Sequence, residues 1–263
     1  MAGKVFTVEK PLIGMIHLPP LAGSVRYRQQ GPKPLIDAAL GDLYALESGG
    51  ADAVLIENLG DAPYAVAAPR ETIAMMAVVV DRLAERAHVP IGINVLRNDA
   101  VAALSIAAAT GASFIRVNVF AGVAFADQGI IEGQARELLW LKRDLGVETR
   151  ILADIHVKHA AHLTRLEEAA IDAARNGPDG LIVSGIGTGR RTDPDDLQTV
   201  KCAVDLPVFV GSGVRIDNLA TYRDADGFIV GTALREDGRL GGPIDVDRVR
   251  ALSDAVASLR IGG

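Results

Sequence analysis

The chain has 263 residues, 49% of them hydrophobic and 23% charged, with a formal net charge of −6, enough for one globular core of barrel size, for which about 250 residues is typical. The acidic balance argues against a general electrostatic hold on nucleic acid or anionic lipid, and no apolar run reaches the roughly 18 residues of a membrane-spanning helix. The single cysteine, Cys202, excludes an internal disulfide and any multi-cysteine metal cluster; its Ala/Val-rich setting predicts a small buried filler rather than a nucleophile.

Glu9, Lys10 and Pro11 interrupt the first twenty residues, which do not read as a signal peptide, so the cytoplasm is the expected compartment. From there, short β-branched runs alternate with Ala-rich amphipathic segments. The pattern predicts strand 12–17, helix 35–48, strand 53–58, helix 70–87, strand 91–95, helix 99–110, strand 114–119 and helix 132–145. It continues with strand 151–156, helix 165–176, strand 181–184, helix 194–203, strand 208–210, helix 216–222, strand 228–230 and helix 246–259. Gly49-Gly50, Gly111, Gly146 and Asn176-Gly177-Pro178 supply stop signals between helix and strand. Eight such units with no Pro/Ser-rich linker predict an α/β fold: one domain over 1–263, a single (β/α)8 TIM barrel. An open doubly wound sheet is the architectural alternative. The connections 18–34, 58–69 and 120–131 are longer than turn geometry needs and lie on the face where barrel enzymes place their sites.

Side chains alternate faces along a strand, so parity separates the barrel interior from the helix-facing layer. In ILADIHVKH the apolar set Ile151, Ala153, Ile155 and Val157 faces the helices, which sends Asp154, His156 and Lys158 inward. The same count sends Arg116 and Asn118, Leu55 and Glu57, and Asn94 inward, while His17 and Ser184 close their strands. Six strands thus end in polar side chains expected to meet at one mouth. A stable barrel interior needs branched apolar residues there, so this ring predicts a ligand or active site. The plainer readings are an internal Arg116–Glu57 ion pair, Asn94 and Asn118 serving loop backbone, and His156 as a packed histidine.

Glu57 and Asp154 are the candidate acid/base carboxylates, with His17 and His156 able to titrate near neutrality. Lys158 is an electrostatic clamp or, if desolvated, an amine nucleophile. Asn94, Arg116, Asn118 and Ser184 are candidate substrate-binding groups. Strands seven and eight end in Gly211-Ser212-Gly213 and Gly231-Thr232, where barrels hold phosphate on backbone N–H groups; Arg190 or Arg215 adds charge. GIGTGRR (185–191) does not match a dinucleotide fingerprint. Asp154 and His156 at i and i+2, with Glu57, leave a divalent metal as a lesser alternative, and no cofactor is predicted.

The segments PLIGMIHLPPLAGSVRY, ADAVLIENLGDAPY, PIGINVLRND, FIRVNVFAG, ILADIHVKHA, GLIVSGIGTG and VFVGSGV…GFIVGTALREDG together resemble the BtpA/SgcQ family, over most of the chain. The resemblance implies a TIM-barrel-like fold, with phosphate-binding barrels such as the tryptophan synthase alpha subunit as distant relatives. It also implies a link to a cyanobacterial factor for photosystem I accumulation, peripheral to the thylakoid, although other members occur in non-photosynthetic bacteria and archaea. The expectation is an enzyme acting on a small phosphorylated sugar-like or nucleotide-like metabolite, of isomerase, lyase, glycosyl-transfer or hydrolysis class. The alternative is a non-catalytic assembly factor for a membrane complex, peripheral on that membrane. No nucleic-acid partner is expected, and a homo-oligomer is.

Overall fold

A computed structural model describes residues 6–261 apart from 186, 188, 189, 212, 239 and 240. The chain runs β1 (Leu12–His17), α1 (Lys33–Ser48), β2 (Ala53–Glu57), α2 (Arg70–Ala84), β3 (Ile91–Asn94), α3 (Ala100–Thr110) and β4 (Phe114–Val117). It continues through β5 (Val123–Ala126), β6 (Gly129–Glu132), α4 (Ala135–Leu145), β7 (Arg150–Ile155), β8 (Ala160–Ala161), α5 (Leu166–Arg175) and β9 (Gly180–Val183). The remainder is α6 (Pro194–Ala203), β10 (Val208–Val210), a 3-10 helix (Ile216–Tyr222), β11 (Gly227–Val230) and α7 (Val246–Ile261). Eight parallel strands close in the order β1-β11-β10-β9-β7-β4-β3-β2, the expected barrel.

Local chemistry sets the element ends. Asp99 caps α3 by accepting from the Ala102 N–H, and Gly111 ends it in the left-handed conformation at φ 74°. Asp193 caps α6, whose first residue is Pro194. The seventh helical position is a 3-10 helix rather than an α-helix. Helix α4 starts at Ala135, not at 132, because 120–131 holds a hairpin: β5 and β6 pair antiparallel across a two-residue turn, Asp127-Gln128, and β8 pairs with β5 on its other side. Cys202 is exposed, not buried. Helix α6 turns Leu197 and Val200 to the core, and two residues beyond Val200 lies its opposite face.

The parity count holds within the strands. Ile13, Met15, Leu55, Leu152, Ile182 and Ile229 fill the barrel interior with Phe114 and Phe209. Their strand neighbours Ile16, Ile56, Ile93, Ile151, Val183 and Val210 join the helix-facing core. Phe6 packs edge-on to Phe114 and Phe209, centroids 5.2 and 5.9 Å away, at the end where the strands begin. The opposite end, where the strands finish, carries the polar groups.

Candidate active site at the mouth of the barrel

A cavity of about 400 Å³ opens at the C-terminal ends of the strands. His17, Glu57, Arg116, Asn118 and Lys158 line it, as do Gly211, Gly213, Gly231 and Thr232. Asn94 and Asp154 are buried but lie beneath that surface as a hydrogen-bonded floor. Arg116 donates from Nε and Nη2 to the two Asp154 oxygens at 2.8 Å each, and Asn118 Nδ2 donates to Oδ2 at 3.0 Å. Asn94 Nδ2 donates in turn to Asn118 Oδ1 at 2.9 Å and to the Arg116 carbonyl at 3.0 Å. Arg116 therefore pairs with Asp154 and not with Glu57. Asp154 thus accepts three hydrogen bonds, two at Oδ2 and one at Oδ1, and is tied to Arg116 and Asn118.

His156 and Ser184 do not reach the central cavity. His156 follows β7 with φ 53°, which breaks the strand alternation and turns its ring away. It stacks on His162 at 4.4 Å between ring centroids and lines a separate side cavity with Ser184, Lys158 and Asp196. Among the described residues, His156 Nε2 and Ser184 Oγ are buried there without a hydrogen-bond partner. Glu57, Asp154 and His156 consequently do not converge on a metal position. Among the described residues no group of three or more His, Cys, Asp or Glu is arranged to hold a metal ion.

Electrostatics divides the cavity's titratable groups. Glu57 is held above the ordinary carboxylate value by burial, against the opposing pull of Arg116 and Lys158. Lys158, half-buried, is held below the ordinary amine value by burial first and by Arg116 next. His17 lies 3.8 Å from Glu57 and is pushed down to about 3, by burial first and then by Arg235, Lys158 and Arg116. It is neutral at physiological pH.

The glycines do more than one job. The Gly211 N–H donates to the Val183 carbonyl at 2.8 Å, so sheet pairing uses the amide expected to hold an anion. A Cβ on Gly231 would fall 2.9 Å from His17 Cε1, so glycine here makes room for the imidazole. Ser212 lies outside the described residues. Arg215 is exposed and lines a groove outside the mouth, and Arg190 is exposed too.

Parity missed Arg97, Tyr64, Asp127, Gln128 and His159, all of which line the cavity. Arg97 sits three residues past Asn94 and donates from Nη2 to the Lys158 carbonyl at 2.6 Å. Asp127 and Gln128 form the hairpin turn and reach the cavity from above. The length of the connection 120–131 was the one signal for them; nothing in it said which residues face in.

A closed (β/α)8 barrel with a charged, buried cavity at its strand C-termini has the layout of barrels whose βα loops carry the functional site. Within that class the BtpA family model matches residues 8–258, and the chain belongs to the BtpA family. It is 47% identical to an uncharacterised protein of Thermococcus kodakarensis over 254 residues, covering 96% of this chain and 97% of that one. It is 41% identical to the photosystem I biogenesis protein BtpA of Synechocystis, covering 97% and 90%, and 34% identical to the putative sgc region protein SgcQ of Escherichia coli, covering 98% of each. Among solved structures it resembles Mycobacterium tuberculosis tryptophan synthase with a TM-score of 0.59 at 20% identity, covering 98% of this chain and 97% of that one. Thiamine phosphate pyrophosphorylase from Pyrococcus furiosus gives 0.57 at 16% identity, covering 95% and 98%. These two likenesses are of fold. No helix among the described residues is long and apolar enough to cross a membrane.

Proposed function

We propose that this protein is an enzyme acting on a small phosphorylated metabolite, sugar-like or nucleotide-like, by acid/base chemistry at the barrel mouth. The observation that carries this reading is Glu57, a buried carboxyl facing a cavity it shares with Lys158, Arg97 and Arg116. Burial raises the proton affinity of Glu57 and lowers that of Lys158, so the two move toward each other and toward neutrality. Glu57 is the acid/base group. Neutral His17 lies beside it, and Arg97 stabilises negative charge that develops on the substrate. Asp154 and Asn118 act through Arg116, as positioning residues.

Phosphate sits against the wall formed by Gly213, Gly231 and Thr232, within the field of the cavity's cations. The name of the thiamine phosphate pyrophosphorylase neighbour puts phosphate chemistry on the same fold, which supports the reading by analogy. Thermal unfolding with added ribose 5-phosphate, ribose or inorganic phosphate tests it. Ribose 5-phosphate should raise the Tm while ribose does not, and Thr232→Glu, which sets a carboxylate against the phosphate, should abolish the rise. No shift from any of a panel of sugar phosphates and nucleotides would overturn the reading.

A second reading is a partner-binding assembly factor, the role in the name of the Synechocystis relative. It is favoured by Phe125 and Ile130, opposite each other in register on the hairpin and exposed by 39% and 61%. Co-sedimentation with membranes that is lost in a Phe125→Ser/Ile130→Ser variant would support it, and a free protein in both cases would remove it.

A further inference from the structure

Among the described residues Lys158 differs from the other lysines in that no carboxylate or carbonyl lies within direct bonding distance of its ammonium. Lys10 Nζ donates to the carbonyls of Arg223 and Ala225, at 2.6 and 2.9 Å. Lys33, Lys142 and Lys201 pair with Asp37, Asp179 and Asp226, at 3.2, 3.6 and 2.7 Å. Among the described residues Lys158 makes no side-chain hydrogen bond or ion pair, while its backbone carbonyl accepts from Arg97. The chain nevertheless places this amine half-buried on the wall of the central cavity. Two guanidiniums flank it. Arg97 reaches across its backbone, and Arg116 is fixed by Asp154 in the floor. An amine set between two guanidiniums, on the wall of a cavity that also holds the buried Glu57 carboxyl, is the arrangement that yields a nucleophile with a proton donor beside it.

We propose that Lys158 is an imine-forming nucleophile and that the substrate of this site carries an aldehyde or ketone carbonyl. The proposal rests on the central cavity being the reaction site, and it names the chemical class that the site takes. The Nζ lone pair attacks the carbonyl carbon. As the C–N bond forms, the π pair moves to oxygen, which takes a proton while the nitrogen loses one, giving a carbinolamine. Glu57 then gives its proton to the departing hydroxyl, the nitrogen lone pair forms the C=N bond, and water leaves. In sum, one neutral amine, one carbonyl and one proton give one iminium and one water. No oxidant or reductant is required. The iminium is an electron sink for loss of a proton or cleavage of a bond at the neighbouring carbon. Glu57, now a carboxylate, is the base that receives the proton. Addition of water in the reverse sense restores the amine.

The charged and titratable groups that face Lys158 are the two carboxylates Glu57 and Asp154, with Arg97, Arg116, His17, His159, Tyr64 and Asp127 around the central cavity, and His156, His162 and Asp196 on the side cavity. Burial and the arginines favour the neutral amine, and the two carboxylates oppose them.

The test is reductive trapping on the intact wild-type protein. Formaldehyde with cyanoborohydride methylates each lysine through its own imine, and peptide mass spectrometry reads every site across a pH series. Lys158 should reach half-maximal rate at least about one pH unit below exposed Lys33, a tenfold excess of free amine at equal pH. Glyceraldehyde 3-phosphate with borohydride should then give a single adduct at Lys158. That adduct should be absent in Lys158→Met and formed about tenfold more slowly in Glu57→Gln, within the usual range for loss of a general acid. If Lys158 titrates together with Lys33, or adducts spread over Lys10, Lys33, Lys142 and Lys201 and persist in Lys158→Met, the imine assignment is overturned. A ribose 5-phosphate shift in Tm that survives that result leaves the phosphate reading standing, so the two failures are told apart.

Discussion

At Asp154 and Glu57, two buried carboxylates with two strands, β4 and β3, between them around the barrel, the neighbours decide the role. Asp154 accepts three hydrogen bonds, two of them the bidentate fork of Arg116. Removing its charge leaves the Arg116 guanidinium buried and unpaired, which costs about 3–5 kcal/mol. Asp154→Asn should therefore lower stability in urea by that order, whereas Glu57→Gln, which removes a carboxyl already biased toward its neutral form, should cost less than about 1 kcal/mol. Equal losses from the two would contradict the assignment of one as a structural anchor and the other as a reactive acid. His17 makes a pH prediction. Its folded pKa is depressed to about 3 from 6.5, so the unfolded chain binds the extra proton between those values. The stability it confers is complete above pH 6.5 and drains away as the pH falls toward about 3. His17→Gln should flatten the acid limb by up to about 1.4 kcal/mol per pH unit in that window. Parallel curves for wild type and variant in urea titrations would remove this account of His17.

At the scale of elements, the hairpin β5–β6 is the piece that turns an open cup into a covered one. Asn98 ties it down. Its Oδ1 accepts from the Val119 N–H at 2.8 Å, and its Nδ2 donates to the carbonyls of Val119 and Glu132, at 3.0 and 3.3 Å. The end of β3, the exit from β4 and the base of the hairpin are thus joined by one buried side chain. Asn98→Ala should cost about 1–3 kcal/mol and speed hydrogen exchange in residues 119–133 while leaving the barrel strands protected. Exchange that quickens evenly across the barrel would mean Asn98 serves the whole fold rather than this lid. The hairpin is also where sequence reading ran out. Within a strand the period of two is dictated by backbone geometry, so Glu57, Arg116 and Asn118 were legible as inward-facing. Past the last ladder bond the geometry is set by the loop. His156 takes a positive φ that no residue pattern announced, while Lys158, two residues on, reaches the mouth after all. The turn Asp127-Gln128 has its glycine just after it, at Gly129 (φ 99°), instead of inside it, which hides the hairpin from the usual two-residue signal. Arg97 was equally hidden, because it belongs to a connection whose path depends on Asn58, which binds the Leu96 N–H across the strand ends.

Across the whole molecule the barrel separates a stability end from a chemistry end. The three rings Phe6, Phe114 and Phe209 close the N-terminal end, and they fit because the inward positions Gly92 and Gly227 beside them are glycine. A Cβ on Gly92 would fall 2.2 Å from Phe114 Cε2, and one on Gly227 would fall 2.6 Å from Phe209 Cδ1. Large and small residues alternate around the interior, so its volume is already filled. Gly92→Ala should then overpack the floor and cost about 1–3 kcal/mol. Phe114→Leu alone should also destabilise, by leaving space beside Phe6. In the double variant the missing ring edge makes room for the new methyl, so the two losses should not add, with a coupling of about 0.5–3 kcal/mol in urea unfolding. Strict additivity would mean the two positions do not share the volume the packing assigns them. This aromatic floor of the barrel interior lies below the polar layer of Asn94, Arg116, Asn118 and Asp154 that floors the cavity, and that layer is held by its own hydrogen bonds. Both single variants should accordingly keep the wild-type pH profile of Lys158 methylation while losing stability. A profile that moved with the floor would show that the mouth depends on the packing beneath it, and that the two ends of this barrel are one mechanical unit.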